Sequence, residues 1–182
     1  MKAFLYSIWE TIEIALIAVI AVFVIRTFLV QPFLVNGASM EPNFSSGDYL
    51  LIDEITYRFR EPGRGEVIVF HYPGNESTYY IKRIIGLPGE RLVFKDGKVT
   101  VVSKEHPDDF VLDENYLPKG LGTSGSEVSL KNNEYFVLGD NRSYSFDSRS
   151  WGSLKKSELV GLVRLRLWPV NRVMAVEKPA YQ

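Results

Sequence analysis

The chain has 182 residues, enough for one domain, and its 46% hydrophobic and 24% charged residues are the proportions of a folded chain rather than a disordered one. A formal net charge of -1 argues against a general nucleic-acid binder, which would carry a basic face. Cysteine is absent and the histidines are His71 and His106, which excludes disulfides, thiolate metal sites and a cysteine nucleophile, and leaves little for a zinc site or a histidine-based triad.

The chain opens on an apolar segment. Ile14 to Ile25 reads IALIAVIAVFVI, without a charge, and Thr27-Phe28-Leu29-Val30 continues it after Arg26. This run alone is shorter than the roughly 20 residues a bilayer core demands. Extending it from Ile8 to Val30 reaches that length and takes in Glu10, Glu13 and Arg26. Arg26 would reach the interface by snorkelling, and Tyr6 and Trp9 suit a membrane boundary. Pro32 is expected to end the helix. Three readings compete: a buried helix, a cleaved leader and a single membrane anchor over 1–31. The anchor fits best, because a leader would want more basic residues than Lys2 at its start and small residues nearer than Gly37-Ala38-Ser39. Lys2 and Arg26 balance Glu10 and Glu13, so charge does not set an orientation.

From Phe33 onward short β-branched and aromatic runs alternate with turn residues. The expected strands are Tyr49–Ile55, Val67–Tyr72, Tyr79–Ile85, Arg91–Phe94, Val99–Val102, Tyr135–Leu138 and Leu159–Leu167. Asp96-Gly97 between two of them predicts a tight hairpin. Gly47-Asp48, Pro62-Gly63, Pro73-Gly74 and Pro88-Gly89 punctuate the others. Ser153 to Glu158 is expected to form a turn or two of helix. The fold class is therefore mainly β: an antiparallel β domain over 32–182, with a polar peripheral excursion around 103–131.

Three stretches carry the chemistry. In VNGASMEPN, Val35 to Asn43, small residues lead to Ser39 and Pro42 follows, so a turn can expose a hydroxyl and its own N–H to a substrate carbonyl. Alone, this reads as readily as a polar turn. In YYIKRIIGLPGE, Tyr79 to Glu90, strand alternation puts Lys82 on the face of Tyr80 and Ile84. Apolar neighbours disfavour a charged amine and make it a usable base, although a strand lysine can equally reach water. In GDNRSYSFDSRSWG, Gly139 to Gly152, Asp140, Arg142, Asp147 and Arg149 can pair into a rigid loop or form a solvated turn.

In this order, behind an apolar segment, the three stretches resemble the bacterial type I signal peptidases, of the single-anchor Gram-positive-like type, over nearly the whole chain. The resemblance implies a membrane helix followed by an antiparallel β domain of the signal peptidase and LexA-like type. It implies Ser39 as nucleophile, Lys82 as general base, and Ser145 as the serine that hydrogen-bonds the lysine amine. It also implies bracing ion pairs Arg83 with Asp140 and Asp147 with Arg149. Phe33, Val35 and Ile81 match the lining of shallow substrate pockets, Met40 the residue packed beside the nucleophile, and Trp151 and Gly152 structural positions. The implied enzyme is a serine endopeptidase that cuts signal peptides from exported preproteins after a small residue, without metal or cofactor. It would sit in the cell membrane as a single-pass protein with its catalytic domain outside the cytoplasm. The bilayer and protein translocation machinery would be its further partners.

The chain departs from the family pattern at two places. Gly37 stands where some members have a serine that completes the oxyanion hole, leaving a second donor unidentified. Asn43 stands where threonine is common and is read as a local turn effect. Rival readings are a LexA-like self-cleaving repressor, a processing peptidase dedicated to one substrate, and an inactive membrane-anchored β domain that binds export signals.

Overall fold

The structure, a computed structural model, describes residues 2–28, 30–103 and 109–181, with side chains from Tyr6 to Val22 and from Gln31 onward. Helix α1 runs Lys2–Phe28. The strands that follow are β1 (Val30–Leu34), β2 (Tyr49–Asp53), β3 (Val67–Tyr72), β4 (Asn75–Gly86), β5 (Arg91–Lys95) and β6 (Lys98–Val102). They continue as β7 (Phe110–Val111), β8 (Val128–Ser129), β9 (Glu134–Leu138), β10 (Leu154–Lys155), β11 (Leu159–Trp168) and β12 (Met174–Ala175). Two single-turn helices interrupt them, α2 (Thr56–Phe59) and α3 (Ser148–Trp151).

Among the described residues the strands form two antiparallel sheets. The larger has the order β1-β2-β11-β3-β4-β9-β10, with β12 added beside β11. The smaller has the order β7-β6-β5-β8. The alternating and continuous β-branched runs explain this division. Val67–Phe70 and Arg83–Gly86 are buried throughout and lie in the middle of the large sheet, as strands covered on both faces do. The β5–β6 turn at Asp96-Gly97 has both residues at positive φ, 51° and 76°, the geometry that two-residue hairpins require.

Three differences from the sequence expectations have local causes. Pro32 does not stop the helix from within it: α1 ends at Phe28, and Pro32 lies in β1 opposite Leu51. β1 is an edge strand, where the missing proline N–H costs no ladder bond. Residues 153–158 give a two-residue strand followed by a 3-10 turn over Lys156–Glu158, because Leu154 pairs with Tyr135 before the chain can coil. The expected bilayer-spanning helix is not supported: among the described residues no helix is long and apolar enough to cross a membrane. The described side chains of α1 reach only from Tyr6 to Val22 and include Glu10 and Glu13. The expected snorkelling of Arg26 lies outside the described side chains. Part of the expected excursion, 104–108, is likewise outside the described residues.

The core falls into three groups that frame the strands carrying the sequence motifs. Val35, Met40, Phe44, Leu50, Ile52, Val67, Val69 and Val163 pack behind the turn after β1. Ile68, Phe70, Ile84, Tyr135, Val137 and Leu154 pack on the opposite face of β3 and β4. Ile85, Leu92, Val99, Val101, Phe136 and Leu138 join the two sheets. Fully burying one such side chain contributes about 1.5–3 kcal/mol, so the strands around Ser39 and Lys82 are held by packing on both sides.

Candidate active site

The turn bearing Ser39 is tied at both ends. The Val35 amide donates to the Asp48 carbonyl at 2.9 Å, and the Gly47 amide donates back to Val35 at 2.9 Å. Gly37 has φ 114°, and a Cβ built there would meet nothing within 4 Å. Backbone conformation rather than space calls for glycine at this position, which is why a serine there would be strained in this turn. Beyond Ser39, the Phe44 amide donates to the Met40 carbonyl at 2.9 Å. Met40 is 1% exposed, buried in the core behind the turn.

Lys82 projects from β4, where it pairs with Ile68 of β3. Its side chain is almost fully buried, with the residue 3% exposed. Its Nζ donates to Ser39 Oγ at 2.7 Å and to the Ile81 carbonyl at 2.9 Å. It also lies 5.2 Å from the centre of the Tyr80 ring. Burial drives its pKa down to about 8, against the opposing pull of Asp147 and Asp140. About a tenth of the amine is then neutral at pH 7, and about half at pH 8. In that state the 2.7 Å contact can run the other way, with the Ser39 O–H donating to the nitrogen lone pair.

The loop after β9 closes the third side. The Asn141 amide donates to the Ser39 carbonyl at 3.0 Å, and Asn141 Nδ2 donates to the Ala38 carbonyl at 3.1 Å. Arg83, next to Lys82 in sequence, meets Asp140 through Nε at 2.8 Å and Nη2 at 2.6 Å. Asp147 accepts from Arg149 Nε and Nη2, both at 2.8 Å, and from the Gly139 amide at 3.0 Å. Burial alone would raise the Asp147 carboxyl; the Arg149 and Gly139 hydrogen bonds outweigh it and hold the carboxyl below its ordinary range. Trp151 packs against Phe70 and Tyr72, and Gly152 ends α3 at φ 93°.

Ser145 lies in the same loop but makes no hydrogen bond to Lys82, whose amine is taken by Ser39 and Ile81. Its Oγ is buried and has no hydrogen-bond partner among the described residues. It lies near enough to Asp147 to favour the ionised acid, yet outside hydrogen-bond geometry. Phe33, Val35 and Ile81 line one cleft together with Ser39 and Lys82, about 320 Å³ in volume.

Residues 8–168 match the family model described as signal peptidase, peptidase S26. The chain belongs to that family. A probable signal peptidase I-2 of Synechocystis sp. is 40% identical over 161 residues, covering 86% of this chain and 71% of that protein. Signal peptidase I P of Bacillus subtilis subsp. natto is 32% identical over 173 residues, covering 92% of this chain and 92% of that protein. A crystal structure of a signal peptidase I from Enterococcus faecalis is similar at 30% identity and a TM-score of 0.39, over 57% of this chain and 97% of that one.

Several residues of this signal peptidase cleft escaped the sequence reading. Leu50, Val69, Tyr79, Tyr80, Tyr144 and Phe146 also line it. Tyr144 and Phe146 had a signal, since two aromatics stand in an otherwise polar loop; in the structure they are 82% and 50% exposed. Leu50 and Val69 had none, because their strand patterns read only as core. Asn43 is more than a local turn effect: its Nδ2 donates to Asp140 Oδ2 at 2.8 Å and to the Tyr116 carbonyl at 3.1 Å. Among the described residues no cluster of side chains suits a metal ion. The arrangement can do one kind of chemistry well. A buried amine able to shed its proton is aimed at a hydroxyl on the floor of an open apolar cleft, which is what acyl transfer through a serine requires.

Proposed function

We propose that this signal peptidase cuts signal peptides with Ser39 as nucleophile and Lys82 as general base. The observation that carries the reading is the 2.7 Å contact between the buried Lys82 Nζ and the half-buried Ser39 Oγ, both lining the cleft. Neutral Lys82 takes the hydroxyl proton as Ser39 attacks the scissile carbonyl. The oxyanion is received by the Ser39 backbone N–H, and the protonated lysine returns its proton to the leaving amine. Lys82 then activates the water that releases the acyl-enzyme. Once Ser39 is acylated its hydroxyl no longer holds the lysine. The Ile81 carbonyl still accepts from the amine, and Ser145 Oγ, buried in the loop and without a hydrogen-bond partner among the described residues, would help to orient it. Arg83 with Asp140 and Asp147 with Arg149 keep that loop in place.

Phe33, Val35 and Ile81 would shape the pockets that admit small side chains and reject bulk. The substrate strand would lie along the turn after edge strand β1, adding backbone hydrogen bonds that do not depend on sequence. We further infer that residues 1–31 form a membrane anchor and 32–182 the catalytic domain on the extracytoplasmic side. The apolar side chains of α1 support membrane attachment: Ile14, Ile17 and Val19 are 69%, 59% and 65% exposed. Preproteins reaching the membrane through translocation machinery would be the substrates.

The test is cleavage of a preprotein by the full chain, its Ser39→Ala variant and its Lys82→Ala variant. Both variants are expected to lose turnover while keeping the thermal transition of a folded protein. Parent-level cutting by either one removes that residue from the reaction.

A further inference from the structure

We propose that Tyr116 is a positioning residue for the Ser39–Lys82 pair, because it joins the turn that carries Ser39, the strand that carries Lys82 and the loop that carries Asp140. The inference rests on the dyad reading above. It concerns a residue from the stretch around 103–131, which the sequence marks as peripheral.

Tyr116 touches all three parts through different groups. Its backbone carbonyl accepts from Asn43 Nδ2 at 3.1 Å, and Asn43 lies four residues after Ser39 and also bonds Asp140. Its ring covers the Arg83 guanidinium, with Arg83 Cζ 4.3 Å from the ring centre. Arg83 is the residue after Lys82 and the bidentate partner of Asp140. Its Oη accepts from Arg142 Nη2 at 2.9 Å and donates to Glu114 Oε1 at 2.9 Å. Arg142 in turn donates from Nη2 to Glu114 at 2.6 Å and from Nε to the Gly139 carbonyl at 3.0 Å. Arg142 also bonds Thr123 Oγ1. Burial pushes the Tyr116 phenol well above its ordinary pKa, so its hydroxyl stays a donor and acceptor throughout the working range.

The consequence is mechanical. Lys82 and Ser39 stand on separate segments of chain, and their 2.7 Å contact depends on how those segments are held. Tyr116 is a point where both segments and the acidic loop meet a single side chain and its carbonyl. Removing the ring frees Arg83 on one side and opens a gap behind the loop. A misplacement of about 1 Å can cost about 100-fold in rate. The groups facing the lysine amine are Ser39, the Tyr80 ring and the Ile81 carbonyl, with Asp147 and Asp140 acting through their charge. Loosening the loop admits water to the amine and moves its pKa back towards that of a solvated lysine.

The experiment compares the full chain with Tyr116→Phe, Tyr116→Leu and Ser39→Ala, using a signal-peptide substrate and counting active sites with a serine-directed acylating probe. Tyr116→Leu is expected to lower kcat per active site by about 10–100-fold with KM within about threefold, and to shift the rising limb of the kcat pH profile upward. Tyr116→Phe keeps the ring over Arg83 and is expected to retain most of the rate. An unchanged pH limb and unchanged kcat per active site in Tyr116→Leu would overturn the inference, whatever its effect on melting temperature. Should Ser39→Ala keep cutting, the dyad reading fails, and this inference with it. A dead Ser39→Ala beside a fully active Tyr116→Leu refutes the positioning role alone.

Discussion

The Arg83 guanidinium grips the Asp140 carboxylate through two hydrogen bonds, 2.8 Å from Nε and 2.6 Å from Nη2, and this pair sits one residue from Lys82 on one side and one from Asn141 on the other. The side chains are 5% and 0% exposed. Asn141 holds the backbone of Ala38 and Ser39, so the ion pair couples the strand of Lys82 to the turn of Ser39.

Asp140→Ala follows from that coupling. It leaves a guanidinium buried without its counter-charge and also strips Asn43 of an acceptor. Breaking a buried pair by removing one partner costs about 3–5 kcal/mol. The expected outcome is a loss of that size in denaturant unfolding together with a fall in kcat. A variant as stable as the parent would mean that Arg83 finds another partner or solvent.

Much of this arrangement can be read from the sequence, and the exceptions have a common cause. Lys82 between Tyr80 and Ile84 announces an apolar setting for an amine by strand alternation alone. Asp96-Gly97 announces its hairpin because the turn chemistry is local. Pro32 misleads because its meaning depends on whether β1 is an edge, which sequence does not tell. Tyr116 and Glu114 look like part of a polar excursion, since their value lies in Arg83 and Arg142, far along the chain. Asn43 looks like a turn residue until Asp140 is placed beside it. Local rules fix strands and turns; contacts across many residues decide which polar side chain serves the site.

The Lys82 amine predicts a pH dependence. Its pKa is pushed down to about 8 by burial, and the proposed mechanism requires a neutral Lys82 to take the Ser39 proton. Activity should therefore rise with pH through a single ionisation near 8 and level off above it. The check is kcat/KM for signal-peptide cleavage across about pH 6–10, a range that brackets the shifted amine and approaches an ordinary lysine. A profile that stays flat throughout removes Lys82 as the base.

The same burial has a cost in stability. The folded-state pKa of Lys82 lies near 8, below the ordinary lysine value of 10.5. Between those values the unfolded chain binds more protons, so this group makes stability rise with pH. Below about 8 the full penalty is present, about 3 kcal/mol from the size of the shift. Lys82→Met fills similar space without a charge. It should unfold at a higher temperature than the parent at pH 7, with no turnover, and its advantage should shrink as pH climbs above 8. An equal or lower melting temperature at pH 7 would show that the amine is not strained by its surroundings.

Gly139 offers the sharpest steric test. A Cβ there would clash with Ser145 Oγ and with the Ser39 carbonyl oxygen. The first contact can be relieved by trimming Ser145; the second is backbone, and the same carbonyl is held by the Asn141 amide. Gly139→Ala must therefore push the Ser39 turn away from the loop. Overpacking of this kind costs about 1–3 kcal/mol, and a shift of about 1 Å at Ser39 costs about 100-fold in rate. The double variant Gly139→Ala with Ser145→Gly is expected to regain part of the stability and almost none of the rate, because the clash with Ser39 persists. Full recovery of turnover in the double variant would place the whole conflict at Ser145 and free the Ser39 turn from any dependence on Gly139.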